Sequence, residues 1–360
     1  MKIILRTFLI IIVVFISSLF FYDMDEKKQR VLVNKEENKV VELAAIEIES
    51  SEEEKKFVIL EDSIFRFMGQ STEQLIETLG LPIRKDPSMF DYEWWIYSIN
   101  EKEYYQIGVL DGLVTTIYAI GEEAKVGPFK IGQDINFVFN EVPVFTEVVI
   151  ENELGTYRFE LSEDQYYAKP LVYLDDYYAQ IYIDRFSGTI SSIRVFDEMT
   201  LLKQRPYEMV YLGEFIAPNM LDAQQIVAVN EGIKKQIFDI TNIVRARHEL
   251  QHLQLDEQLE SVAYMHSLDM KENDNFSHVS LTKGELKDRL RNEEIPFLVA
   301  GENIAADYID AIEVMEGWLN SKSHRENLLN DEFTHLGVGV YDSYYTQNFI
   351  GKLEMSATID

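Results

Sequence analysis

The hydrophobic period of the chain changes at Asp222, and that change limits the folds available. Between residues 57 and 220, aromatic and β-branched residues alternate with polar ones in short runs. Asp-Gly, Gly and Asn-Glu turns break the runs, a pattern of antiparallel strands. Beyond Asp222, Ile226, Val229, Ile233, Ile237, Ile240 and Val244 recur at spacings of three and four. That spacing predicts a long amphipathic helix with Asp222 as its cap. A second helix is predicted from about Asp256, with Leu259, Val262, Ala263, His266 and Met270 on one side. A third spans 283–291. A fourth spans 308–321, with Ala311, Ile312, Met315 and Trp318 inward. Strands follow at 336–341, where Gly337 and Gly339 alternate with apolar residues, and at 345–354. Helices and strands mixed in one unit imply a layered α-β-α sandwich over residues 221–360.

The strand-rich part carries an internal duplication. Tyr104-Tyr105-Gln106-Ile107 matches Tyr178-Ala179-Gln180-Ile181, and Val114-Thr-Thr-Ile117 matches Ile190-Ser-Ser-Ile193. Each copy reads as a short helix laid on an antiparallel meander, so the class is α+β throughout. The many Tyr and the Trp94-Trp95 pair are expected to fill two small sheets, with a binding face as the alternative. Asp175-Asp176 reads as solvated turn acids, and residues 201–221 as a connector.

Before residue 57 the chain changes again. Lys2 and Arg6 precede an uncharged run ending at Tyr22, and Asp23, Asp25 and Glu26 follow it. A bilayer needs about 20 apolar residues, which residues 3–22 supply if Arg6 snorkels. The charge asymmetry leaves the N-terminus inside and sends the bulk of the chain out. No small-x-small cleavage site is evident, so an uncleaved anchor is favoured over a cleaved signal peptide that would make the protein secreted. Residues 23–56 are mostly charged and lack aromatic residues; they read as a flexible tether. The net charge of −30 argues against nucleic acid as a partner. The absence of cysteine excludes disulfides, thiol nucleophiles and Cys-zinc sites.

All six histidines lie at or beyond His248. The stretch from Ser277-His278 to His335 is the candidate site. It holds Gly301-Glu302-Asn303, Trp318-x-x-Ser321-x-x-His324-Arg325 and Thr334-His335 among small residues. Just outside it, His248-Glu249-Leu250-Gln251-His252 spells a zincin pentapeptide. Three fixed positions are weak evidence, the pentapeptide falls where the helical pattern fades, and Arg245 and Arg247 add positive charge beside it. It is expected to be a solvated helix end. His266 and His335 are expected to be packed or surface residues.

Taken in order, the motifs of residues 221–360 resemble the CAP superfamily (cysteine-rich secretory proteins, antigen 5 and pathogenesis-related proteins), in its bacterial SCP-like branch. They are Asn242-x-x-Arg245, Leu250-x-x-Leu253-x-x-Asp256, Asp269-Met270, Phe276-Ser277-His278, Gly284 with Arg289, Gly301-Glu-Asn-Ile-Ala305, Trp318-x-x-Ser321-x-x-His324-Arg325-x-Asn327, Gly337-Val-Gly339 and Tyr345-Thr-Gln347. Residues 57–220 resemble the CAP-associated N-terminal domain of Bacillus-type proteins. The resemblance implies an α-β-α sandwich with a cleft, and places Glu249 where the family often has Gly. Animal members put two His and two Glu in the cleft. His278, Glu302 and His324 carry over, whereas the second glutamate's position is Ser321 here.

Such a trio can ligate a divalent metal such as zinc, act as general acid and base, or form a buried hydrogen-bond network. Ser277 and Ser321 are expected as caps or cleft walls, with a nucleophile as the alternative. Asn303 is expected to satisfy loop backbone, and Arg325 to pair with Glu302 or a backbone carbonyl. Family members have been linked to lipid or sterol binding, metal binding and proteolysis. The first expectation is an extracytoplasmic membrane-anchored protein whose cleft takes a metal or a small lipid-like or cell-wall ligand. The second is a cell-envelope hydrolase or peptidase using Glu302 with His278 or His324. The third is a structural or partner-docking protein.

Overall fold

In the first strand-rich copy, β2 (Glu93–Asn100), β3 (Glu103–Leu110) and β4 (Leu113–Ile120) form a meander. The computed structural model describes residues 57–352, so the expected membrane segment at 1–22 and tether at 23–56 lie outside the described residues. Among these, no helix is long and apolar enough to cross a membrane. The second copy contributes β7 (Leu171–Leu174), β8 (Tyr177–Asp184) and β9 (Thr189–Phe196).

Two small sheets were expected; the copies instead fuse. β4 pairs antiparallel with β9, matching Tyr118 to Arg194 and Ile120 to Ser192. With β1 (Arg84–Pro87) the result is one seven-stranded sheet in the order β1-β2-β3-β4-β9-β8-β7. Fusion removes two exposed edges, which unpaired strands otherwise present to other chains. Helix Glu198–Gln204 and β10 (Glu208–Gly213) occupy much of the predicted connector. β10 joins β6 (Gly155–Glu160) and β5 (Glu147–Asn152) in a separate three-stranded sheet.

Both faces of the large sheet are covered, which explains its nearly continuous buried runs. One face packs on Ile64, Phe65, Leu75 and Val138. The other sets Tyr92, Trp94, Tyr104, Tyr118 and Tyr182 against Val229, Ile233, Ile240, Ile312 and Met315 from beyond residue 222. The aromatic residues are therefore core rather than a free binding face, each stabilising by about 2–3 kcal/mol.

The long helix Ala223–Arg247 begins where the sequence placed it. Asp222 Oδ1 accepts from the amides of Gln224 at 2.8 Å and Gln225 at 2.9 Å. It shares one face of a four-stranded sheet with the seam helix Ala311–Leu319. That sheet runs β11 (Gln254–Leu255), β13 (His335–Tyr341), β14 (Tyr344–Gly351), β12 (Val299–Ala306). The helix Glu257–Glu272 covers the opposite face, completing the sandwich. Alternation on β13 explains both layers. Leu336, Val338 and Val340 join the core with the long helix. Gly337 and Gly339 lie against helix backbone, so close that a Cβ would sit 2.3 Å from Leu259 C and 2.1 Å from Ala263 C.

A polar seam joins the large sheet to the sandwich. Asp310, Glu313 and Glu316 recur every third residue on the seam helix and its cap. Asp310 pairs with the fully buried Arg194 at 2.6 Å. Glu313 accepts from Lys169 at 2.5 Å and Tyr182 at 2.9 Å. Glu316 Oε1 accepts from Ser192 at 2.5 Å and Ser191 at 3.2 Å. On the long helix, Asp239 accepts from Arg84 at 2.8 Å and Tyr104 at 3.2 Å.

Candidate functional site

Glu302 lies on β12, opposite Asn348 of β14, which in turn lies opposite Gly337 of β13. Partners directly opposite share a face, so all three point toward the helix Glu257–Glu272. Glu302 is buried there and receives donors on both oxygens. Oε2 accepts from Arg289 Nη2 at 2.7 Å. The Asn348 amide, with its nitrogen toward Glu302, adds a donor to Oε2 at 2.9 Å, and its oxygen accepts from Ala263 N at 3.2 Å. Oε1 faces His278 Nδ1 at 2.9 Å. A carboxylate offers only acceptors, so Nδ1 carries the proton. His278 Nε2 is then left with a lone pair, on a side chain 56% exposed.

His278 is held from its backbone as well, since its carbonyl accepts from Arg289 Nη2 at 3.2 Å. One buried guanidinium thus fixes both the carboxylate and the loop that carries the imidazole. Exposed Phe276, Val279 and Leu281 flank that loop.

His324 comes from the short helix Lys322–Leu328, along β12. Burial pushes its pKa down, and electrostatic interaction with His278 adds to the effect. Among the described residues it makes no hydrogen bond to Glu302. Its carbonyl accepts from Asn303 Nδ2 at 3.1 Å. Asn303 is fully buried within β12 rather than in a loop, and it also links Asn327 at 2.9 Å and Gln347 at 3.2 Å. It is a bracket between strand and helix. Asn327 adds a second one, donating to the Glu302 carbonyl at 3.0 Å.

The remaining predicted residues divide. Ser277 Oγ accepts from Val279 N at 3.1 Å, shaping the loop. Ser321 stands at the start of the short helix and makes no side-chain cap bond. Of the two partners expected for Arg325, the backbone carbonyl is met and Glu302 is not. Arg325 forms a two-pronged pair with Asp184 of β8, 3.0 Å on each prong, and donates to the Leu319 carbonyl at 3.2 Å. The residue next to His324 therefore faces the large sheet, away from Glu302.

Two residues of the site were not assigned from sequence. In the sequence, Arg289 stands out only as part of a motif with Gly284. His266 was expected to be packed or on the surface; it is packed, but behind the site. Its side chain is inaccessible, with Nε2 3.7 Å from Glu302 Oε1. Neither ring nitrogen has a hydrogen-bond partner among the described residues. The Ser277 carbonyl is nearby without hydrogen-bond geometry. Burial lowers the His266 pKa to about 4, so the ring is neutral at pH 7. The available signal was positional: His266 shares a helix face with Leu259 and Ala263, which pack over Gly337 and Gly339.

The zincin pentapeptide is not helical. The long helix ends at Arg247, His248 is its cap, and Glu249 sits at φ 58°. That left-handed conformation favours glycine and turns the chain out of the helix. Among the described residues, no group of three or more His, Asp and Glu side chains is placed to hold a metal ion. With donors on both oxygens, Glu302 fits as the group that orients His278 rather than as a ligand itself.

An α-β-α sandwich with a His–Glu pair at the edge of its sheet, fused to a duplicated meander, defines the class. Residues 238–353 match the model of the cysteine-rich secretory protein family, and residues 68–207 match that of the CAP-associated N-terminal domain. A Bacillus subtilis relative described as "uncharacterized membrane protein YlbC" is 44% identical over 84% of this chain and 88% of its own. Another, YkwD of Bacillus subtilis, is 42% identical over 33% of this chain and 47% of its own. The crystal structure of an extracellular protein containing an SCP domain from Bacillus anthracis superposes with a TM-score of 0.77. It is 43% identical and covers 81% of this chain and 96% of that one. A Staphylococcus aureus cysteine-rich secretory protein, 23% identical, shares the fold at a TM-score of 0.75, covering 82% and 95%. The chain belongs to the cysteine-rich secretory protein family, with a CAP-associated N-terminal domain preceding the family domain.

Proposed function

We propose that this is an extracytoplasmic protein of the cell envelope, membrane-anchored by its N-terminal segment. Its cleft binds a small ligand through His278. The observation that carries the reading is the His278 Nδ1 to Glu302 Oε1 hydrogen bond of 2.9 Å, with Arg289 on the other carboxylate oxygen. It fixes the ring and presents the Nε2 lone pair to solvent. That lone pair accepts a hydrogen bond from a hydroxyl or amide, or binds a divalent metal such as zinc with His324 as second ligand. The exposed Phe276, Val279 and Leu281 suit a ligand with an apolar portion, lipid-like or derived from the cell wall. The description of the Bacillus subtilis relative as a membrane protein and of the Bacillus anthracis neighbour as extracellular supports the location.

Zinc and soluble peptidoglycan fragments, titrated separately by calorimetry into wild type and His278→Ala/His324→Ala, test the reading. Saturable binding of either probe that the double variant loses is expected. Equal, weak binding of both probes by both proteins sinks it. The same oriented imidazole favours hydrolysis as the second reading, with His278 as general base and Glu302 as its partner. Turnover of peptidoglycan or peptide that Glu302→Gln abolishes without unfolding would promote it to first.

A further inference from the structure

The short helix Lys322–Leu328 has seven residues, too few to be stable alone in water. Its N-cap serine supplies no cap bond. It is gripped instead by residues 183–187, the end of β8 and the turn that follows it, which belong to the other half of the molecule. Arg325 meets the fully buried Asp184 with both prongs at 3.0 Å, and its guanidinium lies 4.8 Å from the Phe186 ring centre. Just upstream, Asn320 Nδ2 donates to the Ile183 carbonyl at 2.8 Å, and Asn320 Oδ1 accepts from Arg185 N at 2.9 Å. The turn is itself braced, because Asp184 Oδ1 accepts from the amides of Phe186 at 3.0 Å and Ser187 at 3.3 Å. Consecutive residues on a helix point about 100° apart, so fixing the direction of Arg325 fixes that of His324.

We propose that the 183–187 turn of the CAP-associated domain is a positioning element for the cleft. By holding Asn320 and Arg325 from outside, it sets where His324 stands relative to His278. The associated domain then acts on the cleft without touching Glu302, and Asp184 is a positioning residue. The inference uses the proposed function only in taking His324 as a cleft residue.

Histidine ring signals from 1H–13C correlation spectra of the full-length chain, with amide exchange at residues 322–328, test it. Asp184→Asn is expected to move the His324 signal while leaving that of His278 in place. It is also expected to speed exchange in the short helix by about tenfold or more, the scale of losing a charge-assisted pair. Lys169→Met and Ser192→Ala weaken the same seam elsewhere and are expected to leave His324 unmoved. Should Asp184→Asn fail to fold, Asn320→Ala removes two bonds to the turn without burying a lone charge and is read by the same signals. An unmoved His324 with unchanged exchange overturns the proposal, as does an equal movement in Ser192→Ala. Neither readout involves a bound ligand, so failure of the ligand reading and failure of this one are separable.

Discussion

Glu302 beside His278 and Glu316 in the seam are both buried and are surrounded differently. Glu302 has a guanidinium, an amide and an imidazole around its two oxygens. Glu316 has two serine hydroxyls on Oε1 and, among the described residues, no partner on Oε2. Burial pushes the Glu316 pKa up to about 7; the hydroxyls and Arg247 only partly offset this, and Asp184 adds to it. Neutral donors do not offset the loss of water around a buried carboxylate as an adjacent cation does. Glu316 is suited to the acid form, and Glu302 to being an acceptor that aims a histidine.

The contrast is most exposed to failure at Arg289. Arg289→Met leaves the Glu302 carboxylate buried without its cation, and a loss of about 3–5 kcal/mol is expected in denaturant unfolding. Adding Glu302→Gln should recover much of it; a single-variant loss below about 1 kcal/mol would break the comparison. Glu316→Gln should do the opposite. A carboxyl whose folded pKa is raised binds more protons folded than unfolded, so wild-type stability falls between pH 4.5 and about 7. The substitution is expected to stabilise by about 3 kcal/mol at pH 8 and by almost nothing at pH 4. His266 has the reverse slope. Its folded pKa is depressed from 6.5 to about 4, so the unfolded chain takes up the proton first. About 2 kcal/mol should be lost between pH 7 and pH 5, and His266→Gln should flatten that segment of the profile. The smallest expected effect is that of Ser192→Ala, about 1 kcal/mol at acid pH, from the lost donor to Glu316. A larger loss would mean the hydroxyl does more than solvate one oxygen.

Much of the sandwich was legible because its signals are local. The period of the long helix, its Asp222 cap and the glycine alternation on β13 each lie within a few turns of chain. The predicted helix 308–321 shortens to Ala311–Leu319, and 283–291 shifts to Leu286–Asn292. The fusion of the two meanders was not legible. It depends on one pairing, β4 with β9, between strands whose own sequences are satisfied equally well in separate sheets. The carboxylate partner of Arg325 was illegible for a similar reason, as Asp184 is 141 residues away; its bond to a backbone carbonyl, six residues away, matches one of the two expected partners. His278 and Glu302 were found through motifs. His266 was not, because a histidine on the apolar side of a helix looks the same whether it backs a site or merely fills space. Glu249 stands between these cases: its left-handed φ is invisible in the residue itself, and the only pointer to it is that the resembling family often has glycine at that position.

The two glycines on β13 carry a last consequence. They allow the helix Glu257–Glu272 to rest directly on the sheet, with Ser267 Oγ reaching the Gly339 carbonyl at 3.1 Å. His266 is the neighbour of Ser267, so the thickness of what lies beneath that helix decides how far the ring stands from Glu302. Gly337 and Gly339 act as a gauge of zero height. A single methyl group at either one would push that helix off the sheet and change the gap behind the Glu302 carboxylate.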